Sequence, residues 1–291
     1  MRNSFVKSCE KMIRQGDNSV VILGDIGVYG FRTISSEFPS RVLNLGIMEQ
    51  AMVGVGSGFA SRGIIPTLHS IAPFLIERAL EQIKIDFGYQ NYPANFVSVG
   101  ASFDYATLGC THHCPADIPN LANIPGVDLF IPGHSDEFSK LFDSNWNSNS
   151  INYFRLTEKE NLEYHLTLKG ESKLLKSGTK AIVIAVGPIL DPVLSGLADL
   201  DVEIHYVNSI LARENLNVNT KLHNVPVIIF EPYYPGTVLA KILSQVRGLN
   251  LLPMQFGVKK TFSTDYGSYE NHLKFHELDS NSISIKVRQL I

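Results

Sequence analysis

A single carboxylate, Glu49, stands inside a run that is otherwise apolar and small, Asn44-Leu45-Gly46-Ile47-Met48-Glu49-Gln50. Residues 41–43 read as a short buried strand and residues 51–60 as a Gly/Ala/Val-rich helix, so the acid falls at a strand-to-helix junction. An acidic residue there can simply complement the positive end of the helix. It can also do chemistry: a lone buried carboxylate is costly unless paired, and a carboxyl group in a dry pocket can share a proton with a ligand. From these residues alone both roles stay open.

Further side chains of chemical interest follow in order. Residues 65–82 carry Phe74 and Arg78, residues 109–113 read Gly-Cys-Thr-His-His, residues 131–137 read Ile-Pro-Gly-His-Ser-Asp-Glu, and Arg155 lies in Asn152-Tyr153-Phe154-Arg155-Leu156. Cys110, His112, His113 and Cys114 suggest soft metal ligands, but Cys-x₃-Cys with two adjacent histidines lacks the paired spacing of a structural zinc site. No metal site is expected. Gly54, Gly56 and Gly58 invite a dinucleotide-binding reading, yet the third position of the motif falls on Phe59, and Glu77 does not supply the acidic residue at a strand end. Close helix packing explains these glycines better.

In order and spacing this series closely resembles the C-terminal half of the transketolase family. Its elements there are Gly-Ile-x-Glu-Gln, Phe-Leu-x-x-Arg-x-x-x-Gln, Gly-x-Thr-His and Pro-x-x-x-Asp/Glu, and together they cover residues 20–157. The resemblance implies a domain that binds the aminopyrimidine end of thiamine diphosphate, whose diphosphate and Mg²⁺ are held by a second half of the enzyme. That second half carries a Gly-Asp-Gly element and a downstream Asn. Here Gly24-Asp25-Ile26-Gly27 lacks the adjacent glycine, so the resemblance implies a split enzyme: an N-terminal, diphosphate-binding partner subunit and this chain, as α2β2, acting on a small-molecule sugar.

The resemblance also implies roles. Glu49 would hydrogen-bond the ring nitrogen opposite the cofactor's 4′-amino group and stabilise the imino tautomer in which that group acts as a base. Phe74 would stack on the aminopyrimidine, and Ile71 would pack it where transketolases have a second phenylalanine. Asp25 corresponds to an acidic residue near the cofactor, although a strand-end Asp also caps turns. His112 matches a histidine that contacts the substrate's reacting oxygens, where an imidazole can donate to a developing alkoxide. Arg155 matches an arginine that holds substrate phosphate, a task suited to its fork of donors, against the alternative of a surface strand arginine. Arg78 resembles a substrate-binding arginine of deoxyxylulose-phosphate synthases, with one extra residue between it and Phe74.

Two departures bear on the substrate. Leu108 and Gly100 stand where transketolases carry an Asp and a His that bind sugar hydroxyl and phosphate. Each lost partner would cost a classical sugar-phosphate site about 1–3 kcal/mol, so a different substrate is expected. Transfer of a two-carbon ketol unit between sugar-like compounds is the favoured activity. The alternatives are a decarboxylating relative, either a deoxyxylulose-phosphate-type synthase or a 2-oxo acid dehydrogenase β subunit, and a non-catalytic scaffold. A scaffold has no need to bury an acid beside a histidine.

The elements that must position these groups alternate. Strands are expected at 18–25 and 95–100 with an amphipathic helix at 74–89 between them, which implies a parallel sheet. Residues 143–150 read as a surface loop. The expected organisation is two parallel-sheet α/β domains: a pyrimidine-binding domain at 1–160, a linker at 161–180, and a transketolase C-terminal-like domain at 181–291. In the latter a strand at 180–187, a helix at 191–200, strands at 202–207 and 225–230 and a helix at 237–246 are expected. With 28 acidic and 25 basic residues no nucleic-acid or membrane-binding charge is present. No signal peptide or membrane span is read, and three cysteines suit a reducing cytoplasm rather than a disulfide framework.

Overall fold

All five residues of β1 (Ser19–Leu23) are buried, the condition of a strand whose sheet is covered by helices on both faces. The computed structural model describes residues 1–291 apart from Asp17, Leu166, Leu168 and residues 243–252. Around β1 the first unit contains α1 (Arg2–Gln15), α2 (Val28–Glu37), β2 (Val42–Asn44), α3 (Glu49–Ala60), β3 (Ile65–Ile71), α4 (Leu80–Gln82), β4 (Ala94–Val99), α5 (Asp117–Ala122), β5 (Val127–Phe130), α6 (Ser135–Asn145) and β6 (Ile151–Arg155). The second contains β7 (Lys173–Lys176), β8 (Ile182–Val186), α7 (Leu190–Gly196), β9 (Glu203–Val207), β10 (Ser209–Ile210), β11 (Val227–Phe230), α8 (Thr237–Ile242), β12 (Met254–Phe256), α9 (Tyr269–Phe275) and α10 (Ser280–Arg288).

The expected parallel sheets form, with one antiparallel edge strand each. The seven-stranded sheet runs β10-β5-β6-β4-β3-β1-β2, and the five-stranded sheet runs β12-β11-β8-β9-β7. β10 lies antiparallel on β5, and β7 antiparallel on β9. The segment expected as a plain linker therefore contains an edge strand, Lys-Leu-Leu-Lys, whose terminal lysines suit a sheet edge. The second unit also returns a strand to the first sheet. Residues 143–145 continue α6 instead of forming a loop, because Asn145 donates its side-chain amide to Leu141 O and its own carbonyl accepts from Asn152. The helix expected at 237–246 is seen through Ile242, and its remainder lies outside the described residues.

Side-chain alternation along β1 shows how the layers assemble. Val20 and Ile22 enter one apolar cluster, whereas Val21 and Leu23 enter another with Phe5, Phe31 and Phe138. The first cluster continues through Ile182, Ile184, Val227 and Ile229 of the second sheet, so one apolar layer joins the two units. The outer face of the second sheet packs on α7 and α10 through Val183, Val193, Ile283 and Val287.

Arg155, at the end of β6, is fully buried between the units. Its Nε donates to Asp117 Oδ2 at 2.7 Å and an Nη donates to Ser102 Oγ at 2.7 Å, with the guanidinium 5.5 Å from the ring of Tyr233. Burial alone would lower its pKa, but Asp117, Tyr153 and Asp104 together offset this and the pKa is raised. Arg155 is therefore not a surface strand arginine: its guanidinium is enclosed beside Asp117, with Nη1 lacking a hydrogen-bond partner among the described residues. Its partner Asp117 was not singled out by any motif.

Removing one partner of a buried pair strands the other charge. Asp117→Ala is expected to lower unfolding stability by about 3–5 kcal/mol in urea titrations, and an unchanged midpoint would show that the pair does not hold the units together.

Candidate functional site

The chain leaves β1 for β2 on one side and β3 on the other, and the crevice at such a switch point is where open α/β sheets bind ligands. The candidate residues gather there. After β1, Asp25 takes a left-handed φ of 61°, and it is held by Asn44 at the end of β2. The Asp25 amide donates to Asn44 Oδ1 at 3.0 Å, and Asn44 Nδ2 donates to Asp25 Oδ1 at 3.1 Å. Gly46 N donates to the same Asn44 oxygen at 3.2 Å. Asn44 thereby ties together the turns after β1 and β2. Sequence reasoning missed it, because its only sign was a polar residue ending a strand.

Glu49 opens α3 and is 1% exposed. Ser70 Oγ, in β3, donates to Glu49 Oε1 at 2.9 Å, and Arg78 Nη1 donates to Oε2 at 2.6 Å. Ser70 is a second missed residue; nothing local distinguishes it from any other buried strand serine. The packing alongside is close, since a Cβ on Gly24 would lie 3.1 Å from Ser70 Oγ.

Past β3 the backbone widens into π-helical turns at Pro73–Glu77 and Ile83–Tyr89, with Arg78 N bonded to Pro73 O at 3.1 Å. Wide turns of this kind recur at functional sites. Here they absorb the extra residue between Phe74 and Arg78 and aim the arginine at the pocket. Phe74 is half-buried, with the Arg78 guanidinium 4.4 Å from its ring centre and the edge of His112 at 5.3 Å and 73°. Ile71 is 9% exposed in the cluster against which Phe74 and Tyr105 pack. Glu49, Ile71, Phe74, Arg78 and His112 are thus brought together, with Asp25 at the neighbouring strand end.

His112 rides on the loop between β4 and α5, its Nδ1 3.0 Å from Thr111 Oγ1. The loop is anchored to the second unit. His113 meets the His272 ring edge-on at 4.9 Å, and Phe103 stacks on His272 and His276 at 5.5 and 5.2 Å. Cys114 N bonds Ser102 O at 2.7 Å. Burial, and secondarily the neighbouring His272, push His113 and His276 down to about 4, and burial lowers His272 as well. Of the cysteines in the loop, Cys110 is exposed and Cys114 buried, with burial raising its thiol.

The two departures also have structural expression. Leu108 is 48% exposed. Gly100 has φ 73°, and a Cβ there would lie 2.3 Å from Tyr105 Cε2. Tyr105 fills the space that a side chain at position 100 would need. Chemically, the cluster offers a buried carboxylate, an aromatic face and an imidazole, with the Arg78 guanidinium lying between the carboxylate and the aromatic ring.

Comparison with known proteins gives consistent matches. The family described as "Transketolase, pyrimidine binding domain" matches residues 1–162. An uncharacterised 33.6 kDa protein in the fasciation locus of Rhodococcoides fascians is 33% identical over 100% of this chain and 95% of its own length. A subunit of the apulose-4-phosphate transketolase of Actinobacillus succinogenes is 29% identical over 72% of this chain and 70% of its own. Among solved structures, a split-gene transketolase in an inactive beta4 tetramer superposes with a TM-score of 0.82 at 19% identity, over 99% of this chain and 97% of that one.

The neutral imidazoles anchoring the His112 loop set a pH test. Their folded pKa values lie below the ordinary value of ~6.5, so the stability they contribute is complete above that pH and is lost as pH falls toward about 4. Urea midpoints should fall across this window, and His113→Phe should make the fall shallower; an identical profile in that variant would remove His113 from the account.

Proposed function

This chain belongs to the transketolase family through its pyrimidine-binding domain, and we propose that it is the C-terminal subunit of a split thiamine diphosphate-dependent transketolase. Its activity would be transfer of a two-carbon ketol unit between sugar or sugar-phosphate-like substrates. One observation carries the reading: Glu49 is buried at the sheet's switch point, with the Arg78 guanidinium bridging from its carboxylate to the ring of Phe74. The matched relative named as an apulose-4-phosphate transketolase subunit supports ketol transfer as the reaction class.

Thiamine diphosphate supplies, when bound, the carbon-centred chemistry for breaking and making the sugar's C–C bond. This chain's residues would hold its aminopyrimidine end. Glu49 keeps a proton at the ring nitrogen, with Ser70 fixing the orientation of the carboxyl group. Phe74 covers one ring face and Ile71 packs beside it. Asp25, at the end of β1 and set by Asn44, would lie near the cofactor. His112 donates to the substrate oxygen on which charge develops, where an aligned donor is most effective. Arg78 and Arg155 are the basic groups assigned to a substrate anion, Arg155 being enclosed beside Asp117.

Gly100 and Leu108 remove two polar contacts, and Tyr105 fills the first position, so the substrate differs from that of classical transketolases. The diphosphate and Mg²⁺ would belong to the partner subunit in a cytoplasmic α2β2 enzyme. Within this chain we assign the pyrimidine-binding domain to 1–160, the connection to 161–180 and the C-terminal domain to 181–291. No described helix is long and apolar enough to cross a membrane.

Co-purification with the partner tests the reading. Native mass should give two copies of each chain, with this chain alone inactive and a poor binder of thiamine diphosphate. Glu49→Gln should lose at least ~10²-fold in turnover, the lower end of what positioned proton transfer contributes. Near-normal turnover in that variant, or full activity without a partner, would reject the proposal, and carbon dioxide release from pyruvate would point instead to a decarboxylating relative.

A further inference from the structure

Glu49 and Phe74 do not present an open slot. Both of their contact surfaces are taken by one side chain: Arg78 donates to Glu49 Oε2 at 2.6 Å while its guanidinium lies 4.4 Å from the centre of the Phe74 ring. We propose that Arg78 is an internal stand-in for the cofactor's aminopyrimidine, holding the slot in the partner-free chain and swinging out when the ring enters. The inference rests on the assignment of Glu49 to the pyrimidine ring.

The chemistry of the guanidinium suits this role. It is flat, delocalised and edged with N–H donors, so it can bond a carboxylate in its plane while stacking on an aromatic face. An aminopyrimidine protonated at the ring nitrogen has the same two features. Stacked rings sit with centres about 4.5 Å or more apart, so a ring using the same carboxylate oxygen and the same aromatic face would collide with the arginine.

The energetics explain why a stand-in exists. With 1% exposure, Glu49 would be a buried and half-satisfied acid if Ser70 were its only partner, which is costly. The two halves of the pair are unequal. The Glu49 side chain is enclosed, whereas the Arg78 side chain keeps 40% of its surface in solvent. The pair can therefore open by rotation of the arginine stem toward water, without moving α3. The π-helical turn at Pro73–Glu77 fixes where that stem starts. A cofactor that must first displace an internal partner binds with an affinity reduced by the fraction of open sites, and this gives the free chain a physical reason to bind poorly until a second subunit adds contacts.

The test uses the full-length chain without its partner, titrated with thiamine, which has the aminopyrimidine but no diphosphate for a partner to grip. Binding is read by calorimetry and by saturation-transfer NMR on the pyrimidine methyl protons. Arg78→Met keeps the stem and removes the plane and charge, and it should bind thiamine at least about tenfold tighter than the unsubstituted chain. Adding Glu49→Gln should abolish that gain. Arg78→Lys keeps a cation beside Glu49 but offers no flat face; it should show a smaller gain, and it serves if the Met variant does not fold. A folded Arg78→Met, or failing that a folded Arg78→Lys, with unchanged affinity overturns the proposal. So does a gain that survives Glu49→Gln, because the ring would then be binding elsewhere. The function itself is judged separately: full turnover of Glu49→Gln in the assembled enzyme sinks that reading, while intact loss of turnover there with no thiamine gain in the Arg78 variants sinks the stand-in alone.

Discussion

An enclosed carboxylate must have partners, and this requirement on Glu49 organises the active end of the first sheet. Its backbone position comes from the β2–α3 junction, where the helix start favours a negative charge. Its two oxygens are met from different elements, Ser70 of β3 and Arg78 beyond the π-helical turn. Three segments distant in sequence thus converge on one acid. Gly24, in the turn after β1, packs closely on Ser70.

A second polar requirement operates between the units. Arg155 and Asp117 are both buried without exposed surface, and Ser102, from the loop that leads to His112, accepts a further hydrogen bond from the guanidinium. Because that loop also packs through His113 and Phe103 on α9, the second unit sets the position of an imidazole that belongs to the first. The shared apolar layer running from Val20 to Ile229 makes the contact between the units extensive, and it gives the C-terminal unit a structural part in the site.

Substitutions within the pocket change what it can accept more than how it is built. At Gly100 the left-handed backbone and the Tyr105 ring together exclude any side chain. Tyr105 in turn accepts a hydrogen bond from Arg2 at 2.8 Å. The Tyr105 ring thus occupies the space beside Gly100.

Much of this was legible in the linear chain, for a physical reason. Alternating buried strands and helices impose parallel sheets, and motif order places Glu49, Phe74 and His112 in sequence, because both depend on local periodicity and short spacing. The edge strand β7 and the return of β10 to the first sheet were not legible: two-residue and charged strands carry almost no periodic signal and are defined by their partners. The same holds for side-chain direction. Arg155 looked free because a strand residue's neighbours across the fold are absent from its sequence context, whereas packing put Asp117 and Ser102 around it. Arg78 follows a π-helical turn and meets Glu49, a pairing that its spacing from Phe74 does not reveal. Residue order thus specified which groups are present and the layers that carry them. Which of the charged groups meet was settled in three dimensions, since the pairing of buried charges is set by long-range packing and by the cost of leaving either one alone.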